Sequence, residues 1–257
     1  MDRRAFLSTA ASAGLAASCA TVPQPRSTVI ADRCLPRVKV DESRIIRRVA
    51  GLRPYRSAGF VVRREALGDK VLVHNYGHGG AGITLSWGSS KLATNLAFAG
   101  TGQRPVAVLG SGIMGLTTAI LAQERGFPVT IYAAQLPPDT TSNIAGGQIH
   151  PASHYDDRMV DDAWRAQYAA ALDYSWRRWQ IYAGDDYGVR WLTTYESGDE
   201  PPGAILRPIY AGWTPLSEAD SPFAAGPVSR YSTMYVETGR ALRRLTDDFH
   251  RGGGKIV

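Results

Sequence analysis

The stretch Val106-Ala107-Val108-Leu109-Gly110-Ser111-Gly112-Ile113-Met114-Gly115 joins four apolar residues to a G-x-G-x-x-G turn. That spacing serves phosphate chemistry. The first glycine permits a tight turn, the second lets the backbone approach a pyrophosphate, and the third lets the next helix pack on the strand. The amides and dipole at the helix start then face the phosphates. Alone the motif is a common turn; here it follows a strand pattern and opens a helical one, as a dinucleotide site requires. The acidic residue expected to hold a ribose after the second strand is absent, and Ala133, Ala134 and Gln135 stand there. His74/His78 and His150/His154 have the i,i+4 spacing of metal ligands on a helix. Both pairs lie in Gly/Pro-interrupted sequence and neither has the Glu of H-E-x-x-H, so no catalytic metal is expected. Ser111 sits inside the phosphate loop, and no G-x-S-x-G elbow is present.

The elements around the turn form a βαβ unit: a strand over 106–109, a helix over 116–125 capped by Gly126, and a strand over 129–132. Ahead of it, 59–63 and 70–74 read as a hairpin across Gly68-Asp69. A Gly-rich run over 77–82 leads into a helix over 83–99, with Leu85, Leu92 and Leu96 on one face, and 100–105 is a polar linker. Behind the unit, 161–182 predicts a long helix whose Trp164, Tyr168, Leu172, Trp176 and Trp179 form a packing face. A strand is expected within 187–195, then a Pro-rich loop to Arg230 and a helix over 237–250. Lys255-Ile256-Val257 reads as the start of a third parallel strand. The expected class is α/β, a Rossmann-like nucleotide-binding fold preceded by a hairpin and helix.

The chain has 257 residues, 44% hydrophobic and 20% charged, which is ordinary globular composition. Two cysteines make no disulfide framework. The net charge of +6 suits an anionic ligand, while the scattered basic residues lack any nucleic-acid module signature, so no nucleic acid is expected. No apolar run reaches the roughly 18 to 20 residues of a membrane-spanning helix. At the N-terminus, Arg3-Arg4-Ala5-Phe6-Leu7 and the Ala/Ser/Gly-rich stretch behind it resemble a twin-arginine signal peptide over residues 1–20. Ala16-Ala17-Ser18-Cys19 resembles a lipobox with its leucine displaced to Leu15, which would make Cys19 a lipid anchor; Ser18-Cys19-Ala20 suits an ordinary signal peptidase equally. Residues 21–44 read as a tether, and export to the periplasm is expected.

Three further stretches carry a resemblance. Gly51-Leu52-Arg53-Pro54-Tyr55-Arg56, His74-Asn75-Tyr76-Gly77-His78-Gly79-Gly80-Ala81-Gly82-Ile83-Thr84 and Asp139-Thr140-Thr141-Ser142-Asn143-Ile144-Ala145-Gly146-Gly147 resemble the signature segments of the D-amino-acid oxidase family of FAD enzymes. A weaker likeness runs on to Val257.

The resemblance implies FAD as cofactor. It places Arg53 on the substrate α-carboxylate, a role suited to a planar two-pronged cation. It places Gly79, Gly80, Ala81, Gly82, Ile83 and Thr84 around the flavin ring, and the phosphate loop from Gly110 to Gly115 under the pyrophosphate. Thr140, Thr141 and Ser142 would contact phosphate or ribose, and Gly147 and Gln148 would line the cofactor. Ala134 departs from the family's acid. The implied reaction is oxidative deamination of a D-amino acid, with oxygen as acceptor and 2-oxo acid, ammonia and peroxide as products. Related readings are an amine oxidase for glycine, a sarcosine-like amine or D-aspartate, and a non-catalytic nucleotide-binding fragment. In the family, the arginine and HNYGHGG segments follow the substrate domain, whereas here they precede the βαβ unit. A circular permutation joined through 100–105 is therefore expected, giving a 45–99 flavin and carboxylate segment and a 105–257 FAD-binding domain. A substrate domain largely missing after Val257 is also expected, which makes this a C-terminally truncated member. Oligomeric state stays open.

Overall fold

The computed structural model describes residues 38–100, 102, 104–223 and 226–257. The proposed signal peptide, Cys19 and most of the tether lie outside them. All helices and strands below belong to the unit Val40–Val257; of the unit Met1–Lys39 only residues 38 and 39 are described, in neither helix nor strand.

Gly68, at a φ of +61°, and Asp69 turn the chain between β1 (Val61–Leu67) and β2 (Lys70–Tyr76), which pair antiparallel from Val61↔Tyr76 to Leu67↔Lys70. Helix α1 (Gly82–Phe98) follows directly. It packs against α2 (Ile113–Gln123) and α3 (Asp162–Ile181). The crossing with α3 is close enough to exclude a side chain, since a Cβ on Gly88 would lie 1.8 Å from the Ala171 carbonyl oxygen. Gly88 N–H donates to Ser175 Oγ at 2.7 Å, and Trp179 Nε1–H donates to the Ile83 carbonyl at 3.0 Å. Trp87 and Trp179, both fully buried, meet edge to face.

Strands β3 (Val106–Leu109) and β4 (Val129–Tyr132) pair in parallel over the spans expected from sequence. Residues Lys255–Ile256 extend this sheet in parallel beside β4; we number them β8, after the three strands that intervene. Val257 N–H donates to the Ile131 carbonyl, and Ala133 N–H to the Val257 carbonyl. The expected third parallel strand is thus present over Lys255–Ile256. Helix α2 begins three residues before its amphipathic pattern, because Gly112 in extended conformation already caps it. Helix α4 (Thr238–Arg251) packs on α2 and buries Leu242, Leu245 and Phe249.

A further, three-stranded sheet departs from expectation. β5 (Val189–Ser197), β6 (Ala211–Leu216) and β7 (Val228–Val236) form an antiparallel sheet ordered β5-β7-β6. Residues 196–230 read as a Pro-rich loop in sequence; the structure corrects this by placing β6 and the start of β7 there. β6 hid because it carries Gly212 and Pro215 and shifts register between Ala211 and Thr214, features that only an edge strand tolerates. β7 hid because it is buried on both faces and includes Ser229 and Thr233, so polar and apolar residues do not alternate. Residues 147–149 tie this sheet to the rest through Val236 N–H to the Gly147 carbonyl and Ile149 N–H to the Met234 carbonyl, both 2.8 Å.

Candidate cofactor and carboxylate site

Residues drawn from four stretches distant in sequence, within 49–54, 75–83, 113–114 and 141–146, line one cavity of about 480 Å³. They carry the three segments of the family resemblance and the start of α2. Helix starts shape it. Gly82 and Ile83 open α1 into the cavity, and Ile113 and Met114 open α2 into it. Neither Ala81 nor Gly112 caps its helix with a side chain. Amide donors and the positive end of the dipole are therefore available to an anion at both places. At α2 the Ser142 hydroxyl accepts from Ile113 N–H at 3.0 Å and stands beside Gly112, where a Cβ would meet Ser142 Oγ at 3.0 Å. Beneath the cavity, a Cβ on Gly115 would lie 1.9 Å from the Gly110 carbonyl oxygen, the close helix-on-strand contact that the third glycine of the motif allows.

Gly51, Gly77, Gly79, Gly80, Gly82 and Gly146 contribute bare backbone to the lining. Such a wall admits a flat ring at contact distance. Together with the two helix starts, it fits a planar group with a phosphate-bearing tail.

Arg53 stands at this cavity with Nη2 donating to the Ser153 carbonyl at 2.7 Å and to the Ala152 carbonyl at 3.4 Å. Among the described residues it forms no ion pair. The carbonyls orient its guanidinium without neutralising it. Gly80 makes room, since a Cβ there would lie 2.4 Å from Arg53 Nη2. Arg56 is engaged otherwise. Its Nε–H donates to the Gly59 carbonyl at 3.2 Å, it lies over the Tyr76 ring, and a Cβ on Gly77 would strike its Cδ at 2.2 Å. It holds the arginine segment against the glycine wall.

Two buried histidines back this corner. His78 bonds Ser89 Oγ through Nε2 at 2.9 Å and stacks on Phe60. Burial, with His154 nearby, pulls its pKa down to about 3. His154 bonds the Pro151 carbonyl through Nδ1 at 3.1 Å, and its buried Nε2 has no partner among the described residues. Its pKa is pulled down to about 4 by burial; the Pro151 carbonyl opposes that shift, and the charge of Arg53 adds to it. Both rings are neutral near pH 7. Neither histidine pair forms a metal site: His150, the other member of the second pair, bonds Tyr210 Oη at 2.6 Å, and among the described residues no cluster of three His, Cys, Asp or Glu gathers.

The structure brings Arg53, Gly79, Gly80, Gly82, Ile83, Ile113, Met114, Thr141 and Ser142 together on the cavity. Gly110, Ser111, Gly112 and Gly115 form the turn behind that lining, with Ser111 Oγ–H donating to the Gln135 carbonyl. Ala81 and Thr84 are buried behind it, and Thr84 Oγ1 accepts from His150 N–H at 3.2 Å. Thr140 turns to Asn143 Oδ1. Gly147 and Gln148 are not in the lining: they join the antiparallel sheet, with Gln148 Nε2–H donating to Thr194 Oγ1 at 3.1 Å. Sequence reasoning missed Asn75, whose Nδ2 reaches Ser90 and Thr118 while its buried Oδ1 has no partner among the described residues. Asn75 stands inside the second quoted segment, so the signal was there; Ser153 had none.

Comparison with known families gives a match to DAO, the FAD dependent oxidoreductase family, over residues 6–96 and 105–257. The chain belongs to this family. The DAO match begins within the stretch read as a signal peptide and breaks across the linker before β3. The D-amino-acid oxidase of Streptomyces coelicolor is 40% identical over 79 residues, 30% of this chain and 25% of that protein. The D-aspartate oxidase of Talaromyces thermophilus is 34% identical over 186 residues, 59% of this chain and 48% of that protein. The glycine oxidase structure from Bacillus cereus superposes with a TM-score of 0.40 at 15% identity, covering 60% of this chain and 47% of that one. The chain spans between a quarter and about half the length of these two curated relatives. Members of the DAO family are FAD-dependent flavoproteins.

Proposed function

We propose that this DAO-family protein binds FAD in the glycine-walled cavity and oxidises a D-amino acid whose α-carboxylate pairs with Arg53. The observation that carries this reading is the guanidinium at the cavity, oriented by two carbonyls and matched by no carboxylate among the described residues. An anionic ligand would complete it with a charge-assisted, two-pronged contact. Bound FAD supplies the two-electron acceptor. The chain's own residues do the rest: the starts of α1 and α2 receive negative charge, the glycine wall seats the ring, and Arg53 orients the substrate. The balanced reaction takes amino acid, oxygen and water to 2-oxo acid, ammonia and hydrogen peroxide.

The test is to load the purified chain with FAD and follow peroxide and 2-oxo acid with D-alanine, D-aspartate, glycine and sarcosine. Turnover of D-alanine ahead of the others supports the reading. Preference for glycine or a secondary amine would move the assignment to a related amine oxidase. A protein that stays colourless and binds NADH instead would overturn it. We further propose that Arg3 and Arg4 begin an export signal to the periplasm, with Cys19 as its lipid-anchor position. Retention of an Arg3→Lys/Arg4→Lys protein in the cytoplasm supports export by this route, unchanged export refutes it, and mass spectrometry of the mature N-terminus shows whether Cys19 is acylated.

A further inference from the structure

The loop that holds Arg53 belongs to neither the phosphate turn nor the glycine wall. It runs over residues 150–156 and is tied at several points: Ala152 N–H donates to the His150 carbonyl at 3.0 Å, His154 to the Pro151 carbonyl, and Asp156 N–H to the Ser57 carbonyl at 2.8 Å. His154 is 1% exposed, with its ring against Tyr155 and Tyr168. Its Cα lies 3.1 Å from where a Cβ on Gly79 would stand, so this loop and the glycine wall touch through backbone. Between these anchors Ser153 has a φ of +49°, the one non-glycine positive φ among the described residues.

Serine enters the left-handed region less readily than glycine, so the surroundings must hold it there. The Ser153 side chain is exposed, and its hydroxyl has no partner among the described residues. What the residue offers the site is its carbonyl, 2.7 Å from Arg53 Nη2. A carboxylate in that place would orient the guanidinium equally well but would compete with an anionic ligand. A neutral carbonyl fixes one prong and leaves the charge and the remaining N–H groups unspent.

We propose that Ser153 is a positioning residue: its left-handed backbone turns its carbonyl onto Arg53 and so aims the free side of the guanidinium into the cavity for a carboxylate. The proposal rests on the reading of Arg53 as the carboxylate-binding residue. It makes the affinity for the anionic end of a ligand depend on a backbone angle in a loop outside the flavin segments.

The experiment compares Ser153→Pro, Ser153→Gly and Arg53→Ala in the FAD-loaded full chain. It measures the Kd of pyruvate, a simple 2-oxo acid, by calorimetry, the KM and kcat for D-alanine, and FAD retention by fluorescence. Proline locks φ near −65° and must swing the carbonyl away, whereas glycine keeps the angle. Ser153→Pro is expected to weaken pyruvate and raise KM by about tenfold, with kcat and FAD retention within about twofold, as for a binding group moved rather than removed. Ser153→Gly should bind as the parent does. If Ser153→Pro binds pyruvate like the parent while Arg53→Ala loses it, the proposal is overturned and the Arg53 reading stands. If Arg53→Ala is silent, the Arg53 reading falls and the proposal with it. Should Ser153→Pro fail to fold, Ser153→Val, β-branched at the same exposed angle, is judged by the same Kd criterion. Loss of FAD in step with pyruvate, from either variant, would mean a merely structural role and would also overturn the proposal.

Discussion

The parallel and antiparallel sheets of this chain obey different constraints. In the parallel unit the decisive contacts are between backbones: the start of α2 rests on the strand end at Gly115 and Gly110, where a side chain would lie 1.9 Å from a carbonyl oxygen. Within the strands of the antiparallel sheet, away from its junction at Gly147, they are between side chains and backbone. Thr233, fully buried in β7, donates to the Ile149 carbonyl at 2.9 Å, whereas a Cβ on Gly212 in the edge strand β6 would meet nothing within 4 Å. The first kind of constraint permits one residue type and leaves a motif. The second permits many solutions and leaves no pattern.

Substitution can break or sharpen that contrast. The largest effect is expected from Gly115→Val, where no flexible neighbour can give way: loss of more than about 4 kcal/mol of stability, read by thermal melting together with FAD retention. Arg53→Ala should cost about 2 to 5 kcal/mol in carboxylate binding, read as Kd or KM, with FAD retained. The two buried histidines make the corner acid-sensitive. Their folded pKa values lie below 6.5, so above that pH both states are neutral and the stability is fully present. As pH falls, the unfolded chain takes up the protons first. Stability then drops by about 1.4 kcal/mol per pH unit for each ring until the folded values, about 4 for His154 and about 3 for His78, are reached. His154→Phe should remove one such share from the slope of denaturant-measured stability between pH 6 and 4, within about that range. In the antiparallel sheet, Gly212→Ala should cost only about 1 kcal/mol, from its φ of +66° and not from any clash. Gly239→Ala, in the first turn of α4 with open space around it, should stabilise by about 0.5 to 1 kcal/mol in the same melts. A Gly212→Ala loss as large as that of Gly115→Val would erase the distinction between the sheets.

The same distinction explains what was legible in sequence. Both strands of the βαβ unit fall where expected, because each is a short run rich in Val, Ile and Leu that starts right after a proline, Pro105 or Pro128, on either side of a helical pattern. The hairpin, the four α-helices among the described residues and the third parallel strand at Lys255–Ile256 were visible for similar reasons of period and punctuation. β6 was hidden by Pro215 and its register shift, and β7 by polar residues that only the fold satisfies. At the site, the convergence of 49–54 with 75–83 could be expected only from resemblance, since nothing local in either stretch encodes the other. Arg53 shows its partners only in three dimensions, a hundred residues downstream, and the sign of φ at Ser153 is not written in a serine.

The crossing of α1 and α3 has a consequence in time. Gly88 and its partner Ser175 lie 87 residues apart. At about 5 to 20 residues per second, a ribosome takes roughly 4 to 17 s to synthesise the stretch between them. Throughout that interval α1 is made but lacks the cover that α3 gives it in the finished fold, where Trp87 meets Trp179 edge to face and both are fully buried. The chain order therefore sets an order of events during synthesis: this face of α1 must wait for a partner that is translated last but one among the described α-helices.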